Sequence, residues 1–329
     1  IIASPWSRGG CVCSQVFDHT SVLQFLEVLL THKTGRKVKE TNITHWRRTI
    51  CGDLTSAFQS NTDAKAALTE FLLRDAVIEG IHRAQYKKAP AGFHALSDKE
   101  TEQIRKKPSD SALPKQEPGT RRSSPLPYQL IVDGGLDKDR TRFVIRFEAK
   151  KDLFGNRAAG APFIVYASTS KGMMVRHYGV AAGESVEDSW PLEIFEKGQY
   201  HFRVHGPNGF YREFLGDGND PLGDVSFKYL QIKATESALS GSVAIKATHR
   251  DSQPKLTLLV QDRAYGNAQV ECVVPKGESR EVVIDTAKSS GWYDLSITVA
   301  GAARFEKRYA GRMETGSWSM SDPAMGRPV

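Results

Sequence analysis

Two stretches decide the fold: GQYHFRVHGPNGFYREFLG (Gly198–Gly216) and GWYDLSITVAGAARFEKRYAG (Gly291–Gly311). Each opens on glycine, alternates apolar and polar residues, turns through glycine, returns through a second alternating run and closes on glycine. Aligned, Tyr200 meets Tyr293, Phe202 meets Leu295, Val204 meets Ile297, Phe210 meets Phe305 and Phe214 meets Tyr309, the second copy being two residues longer at the turn. A period of two is the mark of a strand with one buried face, so each copy is a β-hairpin. Asn208-Gly209 supplies the positive φ angles that a tight hairpin turn demands.

Working outward, TRFVIRFEAK, FIVYAS, SGSVAIKAT, KLTLLVQD and REVVIDT are further strand-like runs, set apart by Gly, Pro and Asp clusters, with no helix-length pattern between them. That spacing predicts β-sandwiches or barrels. One duplication with units near 90 residues argues for two tandem domains, 126–217 and 218–316, followed by a tail, 317–329. Trp190, Tyr200, Trp292 and Tyr293 read as core or tyrosine-corner residues. GESVEDSWPL reads as an exposed acidic turn: Glu184, Glu187 and Asp188 lack EF-hand spacing. FGNRAAG leads into no helix and so is no phosphate-cradling loop.

Before Leu126 the period changes. Val22, Leu23, Leu26, Leu29 and Leu30 recur at helical intervals and predict a helix over 20–30 with one buried face. A second helix is expected over 62–85, ending before Pro90. From Arg83 to Pro125 there are ten Lys or Arg against five Asp or Glu, so most of the net charge of +7 sits in this Pro-, Gly- and Ser-containing stretch. It reads as a solvated basic linker within 61–125, able to meet anionic lipid. Without interleaved aromatics for base stacking it does not support nucleic-acid binding.

Cys11, Cys13, Cys51 and Cys272 are too few for a disulfide-built scaffold and lack zinc-finger spacing. A Cys13–Cys51 bridge is the expectation for an exported protein, packed thiols the alternative. No run approaches the length of a membrane span. The absence of an initiator Met and of a signal peptide leads us to expect that an amino-terminal part precedes Ile1.

Chemistry gathers at SQVFDHTSVL (Ser14–Leu23), where Asp18 and His19 stand at a helix entrance. A carboxylate beside an imidazole can bind a metal, hold a phosphoryl oxygen or orient a base. An Asp or Thr20 at that position can equally cap the helix. Arg8, in a Gly-rich turn, is a candidate for an anionic substrate. No Ser-His-Asp set or Gly-x-Ser-x-Gly elbow stands out.

SPWSRGG, SQVFDHTSVLQFLE and WRRTICGDLTSAF resemble the end of the catalytic domain of bacterial phosphocholine-preferring phospholipases C, relatives of acid phosphatases within the alkaline-phosphatase-like superfamily. LFGNRAAGAPFIVYA, YHFRVHGPNGFYREF and AGAARFEKRYAGRMETGSWSMSDPAMG resemble the paired carboxy-terminal domains of the same enzymes. The resemblance implies a mainly β chain: two tandem β-sandwich-like domains preceded by an α-rich remnant, 1–60, of an α/β alkaline-phosphatase-like catalytic domain. It implies hydrolysis of phosphatidylcholine-type phospholipids to diacylglycerol and phosphocholine. A hydroxyl nucleophile and a divalent metal would do the chemistry, the nucleophile and main metal ligands lying outside this chain. Asp18 and His19 match a motif that lines or supports that site. The implied location is secreted or periplasmic, and the implied partners are a phospholipid membrane surface and an export or accessory protein. Gly209-Phe210-Tyr211 is read as an exposed aromatic turn, with Phe210 and Tyr211 as lipid contacts. The alternatives are a non-catalytic lipid- or partner-binding module and a phosphomonoesterase.

Overall fold

The computed structural model describes residues 2, 4–7, 10–58, 73–89, 91–107, 119–231, 239–250 and 253–325. Short elements come first: β1 (Cys11–Val12), then the helices α1 (Thr20–Thr34), α2 (His45–Ile50), α3 (Arg74–Ala84) and α4 (Asp98–Lys106), then β2 (Arg122–Ser123). The second expected helix survives as α3, its first half lying outside the described residues. α4 interrupts the stretch read as linker. Its signal is the SDKE tetrapeptide, in which Ser97 and Glu100 form a reciprocal capping box.

Two seven-strand units follow. The first holds β3 (Leu130–Leu136), β4 (Arg142–Ala149), β5 (Ala161–Thr169), β6 (Gly172–Val180), β7 (Ser185–Pro191), β8 (Tyr200–His205) and β9 (Tyr211–Gly216). The second holds β10 (Gly223–Gln231), β11 (Leu239–His249), β12 (Lys255–Asp262), β13 (Val270–Pro275), β14 (Ser279–Asp285), β15 (Trp292–Val299) and β16 (Ala302–Arg312). The sheets β3-β4-β7 and β10-β11-β14 each cover half of one eight-stranded sheet ordered β13-β12-β15-β16-β9-β8-β5-β6. That order is a palindrome about β9 and β16, the return strands of the two repeated hairpins. They pair antiparallel from Leu215 opposite Glu306 to Tyr211 opposite Ala310. The duplicated units are therefore fused edge to edge, and the fusion removes two exposed strand edges.

Each unit keeps its own core, because alternate residues of every strand point inward. Phe143 lies against Tyr200 (4.3 Å between ring centroids) and Phe202 (4.9 Å), and Trp190 is fully buried beside Phe202. GESVEDSWPL is thus a strand and not a turn: Ser185–Pro191 is β7, and although Glu184 and Glu187 are exposed, Asp188 accepts hydrogen bonds from Arg176 (2.6 Å) and Tyr178 (2.5 Å). The Pro207–Phe210 turn has Asn208 and Gly209 at φ 54° and 70°, the conformation expected of Asn-Gly.

Across the seam the cores meet on Arg212, whose guanidinium lies 4.0 Å from the ring of Phe210, 4.8 Å from Phe227, 5.2 Å from Tyr309 and 5.7 Å from Tyr293. A small sheet closes the assembly: β1 pairs in parallel with β2, which pairs with β17 (Ser319–Met320). It gathers the start of the chain, the entry to the first unit and the tail at one place. The amino-terminal segment docks on the first sandwich through α2. A Cβ on Gly179 of β6 would stand 2.8 Å from the Trp46 ring, so glycine permits that approach.

α1 departs from expectation. Its polar residues Thr20, Ser21 and Gln24 are the buried ones, whereas Val22, Leu23, Leu26, Leu29 and Leu30 are 39–52% exposed. The apolar stripe exists as read, but among the described residues nothing covers it.

Candidate functional site at the Asp18 turn

The turn entering α1 is closed on itself. Asp18 Oδ1 accepts from the backbone N–H of Thr20 (2.8 Å) and from its hydroxyl (2.6 Å), while the Asp18 N–H donates to Ser21 Oγ (3.1 Å). Asp18 Oδ2 pairs with Arg47 of α2. Burial alone would raise the Asp18 pKa, but the hydrogen bonds from Thr20 and Arg47, with the guanidinium charge, hold it below its ordinary value. Both oxygens are engaged, so the side chain is built as a charged anchor and a cap for an otherwise unpaired helix amide. His19 follows it on the surface, exposed and without a hydrogen-bond partner among the described residues. The two candidates are adjacent in sequence but share no bond. Arg8 lies outside the described residues.

A second pair stiffens the same segment. Glu27 of α1 receives Arg48 of α2 through both oxygens at 2.7 and 2.9 Å, and Glu27 Oε1 also accepts from the Glu40 N–H. The Arg48 hydrogen bonds outweigh burial and keep Glu27 ionised below its ordinary range. Arg47 and Arg48 are thus neighbours that tie α2 to two points of α1. Neither partnership is legible in sequence, because 29 and 21 residues separate the partners. Arg47 and Arg48 were visible only as the basic part of WRRTICGDLTSAF.

Beside these pairs, between the amino-terminal segment and the first sandwich, a cleft of about 750 Å³ is lined by Gln24, His45, Arg48, Cys51, Asp53 and Arg157 among others. Neither Asp18 nor His19 lines it. Among the described residues no group of three His, Cys, Asp or Glu side chains is placed to hold a metal ion. Both oxygens of Asp18 are already engaged, by Thr20 and Arg47. These described residues do not fit a divalent-metal centre.

Three expectations need correction. Phe210 is 5% exposed, sealed beneath the hairpin against Phe163 and Arg212, and so is no lipid contact. Tyr211 is half-buried, with the His205 ring 5.0 Å and the Arg308 guanidinium 5.5 Å from its own ring. Cys13 and Cys51 form no bridge, since all four cysteines are thiols. Cys13 Sγ lies 3.4 Å from Ser56 Oγ, and burial followed by the charge of Asp18 pushes the Cys51 thiol up. The hairpin turn hid the fate of Phe210 because the strand alternation stops there.

With both groups of Asp18 consumed, Asp18→Ala is expected to lower stability by about 1–2 kcal/mol through loss of the cap and of a partly exposed ion pair. Urea denaturation followed by circular dichroism checks it. A change indistinguishable from zero would remove the anchoring role.

Comparison with known proteins now bears on the arrangement. The family described as "Bacterial phospholipase C, C-terminal domain" matches residues 123–217 and again 229–312, one match on each sandwich. The chain belongs to this bacterial phospholipase C family. The "Phosphoesterase family" matches residues 1–30, the segment that carries the Asp18 turn. The chain is 36% identical over 330 residues to a non-hemolytic phospholipase C of Pseudomonas aeruginosa, covering 99% of this chain and 43% of that protein. It is 32% identical to a non-hemolytic phospholipase C of Burkholderia pseudomallei, covering 98% and 42%. It is also 32% identical to a hemolytic phospholipase C of Pseudomonas aeruginosa, covering 99% and 44%. The chain thus spans less than half the length of these phospholipases C.

Proposed function

We propose that this chain serves a phospholipase C that hydrolyses the phosphodiester of phosphatidylcholine-type lipids to diacylglycerol and phosphocholine. The observation that carries the reading is the order of the matches: a phosphoesterase segment at 1–30, then two phospholipase C carboxy-terminal domains, within relatives similar along 98–99% of the chain. In this reading Asp18 and Arg47 position α1 as part of the phosphoesterase unit. The exposed stripe of α1 is the face on which the rest of that unit packs, burial of such a stripe being the usual source of a helix's tertiary stability. His19, exposed beside the anchored Asp18, is the residue of this turn left available to the reaction. The two sandwiches are accessory to the chemistry, and the location is secreted or periplasmic.

The test is hydrolysis of p-nitrophenylphosphorylcholine by the 329-residue chain beside a protein extended at its amino terminus to the length of its relatives. Activity is expected in the extended protein alone, because the phosphoesterase match takes in only residues 1–30 of this chain and the one carboxylate of its turn, Asp18, is taken up by Thr20 and Arg47 as a cap and anchor. Turnover by the shorter chain would place the nucleophile within these residues. Inactivity of both would sink the phospholipase reading, and preference for p-nitrophenyl phosphate would replace it with a phosphomonoesterase.

A further inference from the structure

Among the described residues nothing covers α3 or the stretch that follows it: every described residue from 73 to 99 is exposed. The helix is nevertheless two-sided. Val77, Ile81 and Ala84, with Leu73 just before the first turn, fall on one side and Ile78 flanks them, while Asp75, Glu79, His82 and Arg83 occupy the other. Leu73, Val77, Ile78 and Ile81 are 40–79% exposed. Leu73, at the amino-terminal cap position, supplies no side-chain hydrogen bond. At 11 residues the helix is shorter than the roughly 12–15 that hold marginally by themselves in water. Such a helix calls for a surface that covers its stripe.

The charges say which surface. From Arg74 to Lys88 the cations are Arg74, Arg83, Lys87 and Lys88, against Asp75 and Glu79. Glu79 is neutralised by its ion pair with Arg83, one turn on. Both acids sit on the side away from the stripe. Arg74 borders the stripe in the first turn, where its long stem can carry the guanidinium outward. Beyond the helix, Lys87 and Lys88 stand between the exposed rings of Tyr86 and Phe93. An apolar stripe, flanking lysines and aromatic side chains together suit the boundary of a bilayer: the stripe enters the acyl edge and the cations meet lipid phosphates.

We propose that α3, with Tyr86, Lys87, Lys88 and Phe93 beyond it, is a membrane-docking element that lies in the interface of an anionic phospholipid surface. The proposal rests on the phospholipase reading for its biological purpose and names the element that brings the protein to its substrate. It moves the lipid contact from the buried Phe210 hairpin to the exposed helix.

The experiment is co-sedimentation of the whole chain with vesicles of phosphatidylcholine mixed with phosphatidylglycerol, and with vesicles of phosphatidylcholine alone. The parent is expected to bind the mixed vesicles, more weakly at high salt and on pure phosphatidylcholine. An Ile78→Asp, Ile81→Asp double variant is expected to bind at least about tenfold more weakly. A Lys87→Glu, Lys88→Glu double variant is expected to lose the preference for the anionic surface. Both should keep the parent's thermal unfolding curve, since neither touches a buried side chain. Failure of the parent to bind, equal binding to both vesicle types, or parent-like binding by the isoleucine variant overturns the proposal. So does a lipid-free dimer, seen by light scattering, that the isoleucine variant abolishes, because a second copy would then be the cover. Hydrolysis of the soluble substrate by the extended protein is read separately, so the docking element and the phospholipase reading fail by different results.

Discussion

Replacing Arg212 with alanine is expected to lower the unfolding free energy by about 3–5 kcal/mol and to separate the melting of the two sandwiches. Arg212 is fully buried, and no carboxylate is among its hydrogen-bond partners. Its Nη1 donates to the carbonyls of Tyr211 and Ala310, both at 2.8 Å, and Nη2 donates to the Tyr293 hydroxyl at 3.2 Å. Tyr211 and Ala310 face each other across the seam between β9 and β16. Around this fork the rings of Phe210 from one unit, and of Phe227, Tyr293 and Tyr309 from the other, supply the negative faces that a desolvated cation needs. Truncation leaves orphaned acceptors and a cavity at the point where the units are coupled. Arg212→Lys retains the charge but not the planar fork, so an intermediate loss is expected. Guanidinium denaturation followed by fluorescence checks both. A single transition, displaced by less than about 1 kcal/mol in the alanine variant, would show that the seam is held by strand pairing alone.

A comparable effect is expected from pH. Glu314, just beyond β16, is almost wholly buried. Burial raises its pKa from 4.5 to about 7, against the lowering effects of the Arg312 charge, the Leu126 N–H and Asn208. Oε1 accepts from Asn208 Nδ2 at 2.9 Å and lies 3.4 Å from Arg312 Nη1, and Oε2 accepts from the Leu126 N–H at 3.3 Å. The carboxyl thus joins the first unit's hairpin turn, the entry strand segment and the end of the second unit. Because the folded pKa is raised, the folded state binds the extra proton between the two values. The stabilisation is therefore complete below pH 4.5 and is lost as pH rises through about 7. It amounts to about 3 kcal/mol. Glu314→Gln keeps an acceptor but cannot ionise, so its stability should lack this slope. Denaturation midpoints of parent and variant that run parallel from pH 4 to pH 8 would remove Glu314 as the cause.

The same two sites show where sequence reading stops. The hairpins that contain Arg212 and lead to Glu314 were plain from alternation, since Tyr200, Phe202 and Val204 face one way and Arg203 and His205 the other. Yet alternation also places Arg212 inward, with Phe214, and nothing local says that a charge belongs there. Of the aromatic rings that accept it, Phe210 is a near neighbour in sequence, but Phe227, Tyr293 and Tyr309 come from residues 15 and more positions away along the chain. The Asp18 turn divides likewise: its cap to Thr20 is local and was foreseeable, whereas Arg47 reaches it only because α2 folds back over α1.

By itself, the sequence determined the mainly β character, the duplicated hairpin, the Asn-Gly turn, the cap at the Asp18 turn and the apolar stripe of α1. Each follows from backbone geometry over a few residues: period two, period 3.6, positive φ, a side chain reaching an amide. The tertiary structure alone decided that β9 and β16 fuse the units into one sheet, that Phe210 is sealed under its turn and that the cysteines stay unbridged. It alone decided that the stripes of α1 and α3 face outward. Those outcomes depend on which distant segment supplies the opposing surface, and local pattern prescribes that a face be covered without naming what covers it.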